Sequence, residues 1–502
     1  KIWPDHFEIT FRAMKQKAAV IGAGIGGLAT AIRLAVKGYD THIYETGIRT
    51  GGKIGEIRLA GCRFDTGPSL FTLPELVDEL FTLAGENPRR HFRYMSLESS
   101  CRYFWDDGTL LNAWTDRQRF AGEAERVTGE PHENIIAFLD ECAELYTLTS
   151  GIFIFSPFYR LENFRKPESL NVARNFRKLN AFSTMHGVIS RRFRSPKLIQ
   201  LFDRYATYNG SSPYRAPGTL NVIAHLEHNM GAFFPEKGMR EIVDSLELLA
   251  GRCGVTIHTG EEVVSVLKEG KIVKGVETVS GITPFSVVIS DIDVIPFYRN
   301  LLKEEASARK QESQERSTSA LIFYWAMNRR FEELDLHNIF FSSDYPGEFR
   351  ALRQGQVSRD PTVYLFASSR VVPADAPEGK DNWFVMINVP CDTGQDWRQV
   401  VSTARADIIR KLSRRLGSNI QESIEAEELL DPLQIGTLTA SYRGALYGSS
   451  SNSRFAAFRR HPNVRSRYEN LWFVGGSVHP GGGIPLCLAS AKIACDMIPP
   501  AE

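Results

Sequence analysis

The stretch Lys17-Ala-Ala-Val-Ile21-Gly22-Ala23-Gly24-Ile25-Gly26-Gly27-Leu28 decides the fold. Its first five residues form a short apolar strand that runs into a glycine turn. Beyond the turn, Leu28, Ala31, Ile32 and Ala35 recur at helical spacing as far as Gly38, which suits a helix C-terminus. A second strand, Thr41 to Tyr44, ends at Glu45. Strand, glycine turn, helix, strand and acid follow in the order of a dinucleotide-binding unit. Gly22 permits the tight turn, Gly24 lets a pyrophosphate approach the backbone, and Gly27 lets the helix pack closely on the strand. Gly26 completes the turn, and the helix N-terminus offers unpaired N–H groups to phosphate. Glu45 follows Gly27 by about the interval at which a carboxylate meets an adenosine ribose, roughly 20 residues. An acid there favours a free 2′-hydroxyl, which leaves FAD and NAD.

The next residues separate the two. Gly51-Gly52-Lys53 is followed by Phe64-Asp65-Thr66-Gly67-Pro68-Ser69. A second glycine pair with a cation lets backbone and positive charge meet a far phosphate and a ribityl chain, which a plain NAD fold does not require. The expected cofactor is therefore FAD. The sequence holds no second Gly-x-Gly-x-x-Gly and so gives no sign of an NAD(P)H domain. Electrons from the reduced cofactor are expected to pass to oxygen or a quinone.

Composition sets the outer limits. The chain has 502 residues, with Lys+Arg 60 against Asp+Glu 59 and a net charge of +1, so no overall basic field recruits nucleic acid. With 43% apolar and 24% charged residues it reads as a folded protein of several domain-sized units. The longest uninterrupted apolar run, Ala320 to Met327, falls far short of the roughly 20 residues of a spanning helix, so no membrane span is expected. Seven dispersed cysteines without a Cys-x-x-Cys pair read as reduced thiols in the cytoplasm, with no disulfide frame and no metal site. The residues ahead of Met14 are expected to stand outside the fold.

The far end of the chain is more specific. Asn470-Leu-Trp-Phe-Val-Gly475-Gly476-Ser477-Val-His479-Pro480-Gly481-Gly482-Gly483-Ile484-Pro485 resembles the C-terminal signature of carotenoid desaturases. Ala206 to Tyr214, the Glu227/Gly231/Pro235/Gly238 series and Val371 to Gly379 are similar to the same family. Together with Val20 to Ser69, the resemblance is to flavoprotein desaturases of the bacterial phytoene desaturase type, in the amine-oxidase-like FAD superfamily. It spans essentially everything after Met14. Leu486-Cys487-Leu488 departs from many phytoene desaturases and resembles the hydroxycarotenoid 3,4-desaturases, which act late in their pathways.

That resemblance implies an α/β architecture: a discontinuous Rossmann-like FAD-binding domain (14–95, 232–300 and 466–502), a mixed-sheet substrate domain (96–114 and 301–465) and a helical cap (115–231). It implies desaturation of a hydrophobic carotenoid by hydride transfer to flavin, late in the pathway and at the 3,4 bond of a hydroxylated substrate. Desaturation of phytoene and flavin-dependent isomerisation are the alternatives. It also brings Val263 to the adenine and Asp291 close by, while Gly475, Gly476, Gly483, Ile484 and Pro485 approach the flavin ring.

Several residue patterns support this layout. Val255–Thr259, Val263–Leu267, Ile272–Val276 and Ser286–Ser290 are strand-like and are expected to extend the nucleotide sheet. Pro485 suits the first turn of a helix over Leu486 to Ile498, whose N-terminus would stabilise negative charge on the flavin. The residues 115 to 230 look helical, and 300 to 465 mix strands with a helix near 401–416. In the cap, an aromatic segment, Gly151 to Tyr159, precedes Arg160, Arg165, Lys166, Arg174, Arg177, Lys178, Arg191, Arg192, Arg194 and Lys197, against Glu162 and Glu168 alone. An apolar wedge with a basic rim suits peripheral attachment to anionic lipid, here the inner face of the membrane. Glu227 and His479 are the candidates for proton handling or cation stabilisation, and no strong base is required where a polyene spreads the charge.

Overall fold

The computed structural model describes residues 15–502 apart from 158, 161, 163–166 and 466. The segment ahead of Lys15, Phe158 of the aromatic segment, Arg165 and Lys166 of the basic run, and the side chain of Glu168 lie outside the described residues.

The first strand, β1 (Lys17–Ile21), the helix α1 (Ile25–Val36) and β2 (Asp40–Glu45) form as expected. They join a five-stranded parallel sheet in the order Leu471–Phe473, Val287–Ser290, β1, β2, Thr256–Thr259. Strands from three distant parts of the chain thus meet in one layer. Ala18, Ala19 and Val20 are fully buried, as a central parallel strand covered on both faces demands. Leu28, Ala31 and Ile32 of α1 pack with Ala491, Ala494 and Cys495 of the last helix, Ile484–Asp496. Lys37 fastens the two helix ends by donating to the carbonyls of Cys495 and Ile498, each at 2.6 Å.

One strand expectation is corrected. Val263–Glu269 and Ile272–Thr278 do not extend this sheet; with Gly281–Pro284 they make a separate three-stranded antiparallel sheet. The reason is local. The tight turn that opposes Glu269 to Ile272 forces antiparallel neighbours, whereas every pair in the nucleotide sheet is parallel. Only Thr256–Thr259 and Val287–Ser290 join that sheet.

The second large layer has seven strands, in the order Ile424–Leu430, Ser319–Met327, Asp381–Val389, Val363–Phe366, His337–Phe340, Ser99–Phe104, Leu110–Trp114. The apolar run at 320–327 is its long inner strand, paired antiparallel with Asp381–Val389 (Phe323 opposite Val385). Side chains alternate across it. Leu321, Phe323 and Trp325 pack against Ala404, Ile408 and Leu412 of the helix Trp397–Leu416. Ala320, Ile322 and Tyr324 face the nucleotide layer. A third core joins the helices Arg117–Thr128, His132–Thr149, Met185–Arg192, Pro196–Asp203 and Val222–His228 through Phe120, Phe138, Phe193 and Phe202.

Gly27 packs so closely that a Cβ there would be driven into the Gly22 carbonyl, with no flexible atom able to yield. Gly27→Ala should therefore cost about 1–3 kcal/mol in urea unfolding. Gly122→Ala, in a helix where a Cβ meets open space, should be neutral or stabilising by up to about 1 kcal/mol. Equal effects at the two positions would contradict the packing described.

Candidate active site

A single cavity of about 1540 Å³ runs between the two large sheets. It exceeds the roughly 300–1,000 Å³ of a usual small-molecule pocket, which suits two large occupants. Gly22, Gly24, Gly26, Glu45, Gly52, Lys53, Gly67, Pro68, Ser69, Val263, Asp291, Gly476, Gly483, Ile484 and Pro485 all line it. The sequence-distant glycine clusters therefore share one space. Gly27 and Gly475 are not lining residues; they are pressed beneath it, Gly27 against Gly22 and Gly475 against the Asp291 carboxylate.

The glycine turn is held from below. The Gly22 N–H donates to the Tyr44 carbonyl at 2.8 Å, which ties the turn to β2. Gly24 caps α1 without a side-chain partner, so the first turn leaves N–H groups available. Asp291 Oδ2 accepts from the Gly27 N–H at 2.8 Å, and its carboxylate fills the space that a Cβ on Gly24 or Gly26 would take. Burial pushes the Asp291 carboxyl up to about 7, opposed by the hydrogen bond from Gly27 and reinforced by the Glu45 charge. Glu45 itself holds backbone: Oε2 accepts from Ala23 N–H at 2.9 Å and Oε1 from Gly47 N–H at 2.8 Å.

The second glycine pair rests directly on the first. Gly51 N–H donates to the Ala23 carbonyl at 2.8 Å and bridges Gly24, and Gly52 lies against the Gly24 α-carbon. Lys53, the cation of this turn, also lines the cavity. Its buried ammonium donates to the Leu446 carbonyl at 2.6 Å and the Ala445 carbonyl at 3.4 Å, and burial lowers its pKa. Gly67, at φ +90°, leaves no room for a side chain against the Lys53 carbonyl, so the 66–69 segment is clamped on the 51–53 turn. At the other wall, Gly483 (φ +110°) caps the last helix, with Pro485 in its first turn and no acid or side-chain cap to fill the positive end.

Glu227 and His479 fall in different settings. Glu227 lines the cavity, 2% exposed, and accepts from Ser100 Oγ at 2.8 Å, Tyr205 Oη at 2.9 Å and Tyr208 Oη at 2.5 Å. Burial raises its pKa, but Arg204 and these hydrogen bonds more than offset this and hold it below the usual range. A carboxylate so fully engaged is a poor proton acceptor. His479 is buried away from the cavity lining, with Nε2 at 2.9 Å from the Ser156 carbonyl and a pKa pushed down to about 4 by burial. It remains neutral and ties the aromatic segment to the glycine loop.

Sequence reasoning missed Arg204, Tyr208, Tyr345 and Tyr364, which share the cavity wall with Glu227. The available signal was a polar residue at an inward position of an apolar segment, as with Tyr364 between Val363 and Leu365. In the aromatic segment, Phe153 and Ile154 line the cavity and Phe155 packs on the core, all three half-buried.

The sequence pattern of the flavin-containing amine oxidoreductases matches residues 25–499. A 1-hydroxycarotenoid 3,4-desaturase of Flavobacterium sp. (strain P99-3) is 44% identical over 485 residues, covering 96% of this chain and 99% of its own. A 4,4'-diapolycopene oxygenase of Methylomonas sp is 32% identical over 496 residues, covering 96% of this chain and 98% of its own. Among solved structures, an oxidoreductase from Methanosarcina mazei shares the fold, with a TM-score of 0.65 at 14% identity over 96% of this chain and all of that one (100%). The chain belongs to the flavin-containing amine oxidoreductase family, within its carotenoid desaturase branch. Its cofactor is FAD, and the cradle fits that group: side-chain-free glycines stand where a dinucleotide requires close backbone approach, and the helix Ile484–Asp496 presents an N-terminus without a side-chain cap.

Asp291 titrates near pH 7 in the folded chain and near 4 when unfolded, so the folded state holds its proton more tightly. This contribution to stability is complete below about pH 4 and is lost as pH rises through 7. In urea unfolding of the cofactor-free protein, Asp291→Asn should reduce the loss of stability between about pH 5 and 8, by at most roughly 4 kcal/mol. Parallel pH profiles for the two proteins would contradict it.

Proposed function

We propose that the protein is an FAD-dependent desaturase that introduces a C=C bond at the 3,4 position of a 1-hydroxylated carotenoid. The observation that supports this best is the one cavity, walled by glycine turns at one end. Beyond them it continues along the hydrocarbon face of Ala320, Ile322, Phe384 and Met386. The activity named for the 44% identical relative points the same way.

In this reading the FAD domain comprises 14–95, 232–300 and 466–502, the substrate domain 96–114 and 301–465, and the cap 115–231. Gly22, Gly24, Gly26 and Gly27 take the pyrophosphate, Glu45 the ribose and Val263 the adenine, with Asp291 beneath. Gly52, Lys53, Gly67, Pro68 and Ser69 flank the ring opposite Gly475, Gly476, Gly483, Ile484 and Pro485. When bound, FAD supplies a two-electron acceptor for a hydride from an allylic carbon. The chain's part is to align that carbon, exclude water and direct the positive end of the Ile484 helix at developing negative charge. The substrate loses a hydride and a neighbouring proton, and the electrons pass on to oxygen or a quinone.

The mouth of the same cavity suggests where the substrate enters. Phe176, Phe182, Phe455 and Phe458 line it and are exposed, Phe182 at 71% and Phe458 at 58%. Arg454 lies over Phe182 and Phe455, and Arg174, Arg177 and Arg459 are exposed nearby in sequence. Part of the basic run is neutralised, since Lys178, Arg192 and Lys197 pair with Glu144, Glu141 and Asp107. We read this rim as the contact with the inner face of an anionic membrane, from which an insoluble polyene passes without crossing water. No described helix is long and apolar enough to cross a membrane.

Co-expression with strains that accumulate phytoene, lycopene, γ-carotene or their 1-hydroxy derivatives tests the reaction. The hydroxylated pools should yield products two hydrogens lighter. Products heavier by an oxygen, unchanged mass, or no conversion would overturn it. In vesicle flotation, Phe182→Ser with Phe455→Ser should reduce binding to phosphatidylglycerol vesicles several-fold, with thermal unfolding unaltered because both side chains are exposed. Undiminished binding would remove the rim from the account.

A further inference from the structure

A hydrocarbon substrate needs no polar wall, yet the cavity has one. Arg204 (5% exposed) and Glu227 (2%) are buried side by side, their closest charged atoms 3.8 Å apart. Arg204 donates to Tyr208 Oη at 3.1 Å and to Tyr103 Oη at 2.5 Å, and Tyr208 in turn donates to Glu227. Enclosing an ion pair costs several kcal/mol of desolvation, which only near-complete hydrogen bonding offsets. A bare apolar wall would serve a hydrocarbon better, so the cluster points to something polar in the ligand.

Two features define what it accepts. First, the charges balance, so neither a cationic amine nor a carboxylate is selected. Second, hydrogen-bonding capacity is left over on both sides. Among the described residues, Arg204 Nε and Tyr345 Oη are buried donors without a partner, and Asn209 Oδ1 is a buried acceptor without one. Tyr345 is 4% exposed and lines the cavity with Asn209. A neutral alcohol, which both accepts and donates, matches a cavity wall that keeps unspent donors and an unspent acceptor.

The wall also lies within electrostatic reach of the segment proposed to flank the ring, since Arg204 and Glu227 both act on Tyr364. Ser69 Oγ lies 2.6 Å from Tyr364 Oη, which is 2.8 Å from His337 Nδ1. In a 1-hydroxylated end group, a single carbon separates the oxygen-bearing carbon from the first carbon of the 3,4 bond. A group that binds this hydroxyl must therefore stand close to the reacting carbons, as a wall within electrostatic reach of Tyr364 and its partner Ser69 does.

The structure assigns to Arg204, Tyr208, Glu227 and Tyr345 the binding of the substrate's terminal hydroxyl, which fixes the bond presented to the cofactor. The assignment rests on the desaturase reading and adds the specificity site within it. Glu227 acts here as the fixed anion that orients Arg204 and Tyr208 and takes no proton.

Tyr345→Phe is the cleanest test, because it deletes a buried hydroxyl with no protein partner and should leave thermal unfolding unaltered. Tyr208→Phe is the second variant. For FAD-loaded full-length protein, two ratios compare a 1-hydroxycarotene with the same carotene lacking the hydroxyl: that of kcat/KM, and that of Kd from quenching of tryptophan fluorescence. Wild type should prefer the hydroxylated compound, and each variant should lose about three- to tenfold of that preference in both ratios. A wild type without preference, or variants that keep it, would overturn the assignment. If the Kd ratios shift while neither compound loses two hydrogens, the hydroxyl site stands and the desaturase reading falls.

Discussion

The structure depends on one close approach: two glycine turns packed backbone to backbone over a buried carboxylate. Gly51 bridges Gly24, Gly27 abuts the Gly22 carbonyl, Gly67 abuts the Lys53 carbonyl, and Asp291 fills the space beneath. At Gly27, Gly51 and Gly67 no residue with a Cβ satisfies these contacts without moving backbone. The requirement also reaches across the chain, because Asp291 and Gly475 end strands of the same parallel sheet as β1. A cradle of bare glycine backbone is the consequence, closed from beneath by the Asp291 carboxylate.

The second sheet turns that cradle into a reaction chamber. Its inner strand is apolar on both faces because it is covered on both, one face closing on a helix and the other lining the cavity. An apolar floor beside a ring-binding cradle excludes water from the reacting carbons, and a polyene disperses the charge that hydride loss creates. A site of this kind requires no strong base. Glu227, a buried acid on the cavity wall, is held by three hydroxyl donors and an arginine.

Much of this was legible in the sequence because it rests on backbone. Glycine spacing reports where side chains cannot be, and the pattern at Gly22 to Gly27 and at Gly481 to Pro485 marked both walls of the cradle. The strand 320–327 was visible as an apolar run. Other parts depended on partners distant in the chain. The carbonyls of Ala445 and Leu446, which accept from the Lys53 ammonium, are signalled by no local motif. The hairpin at 263–278 left the nucleotide sheet because its turn imposed antiparallel pairing, while apolar periodicity alone does not say which sheet a strand joins. The polar wall was hidden for the same reason, since Arg204, Tyr345 and Tyr364 come from three separate elements.

The most direct test of the central claim, that one cavity holds ring and polyene together, is a single-turnover experiment without oxygen. Purified protein loaded with FAD is mixed with one equivalent of a 1-hydroxycarotenoid, and the oxidised-flavin absorbance is followed alongside product mass. The account predicts loss of that absorbance in step with a product two hydrogens lighter, and recovery on admitting oxygen or a quinone. Carotenoid that binds while the flavin stays oxidised, or a protein that retains no flavin, would contradict it.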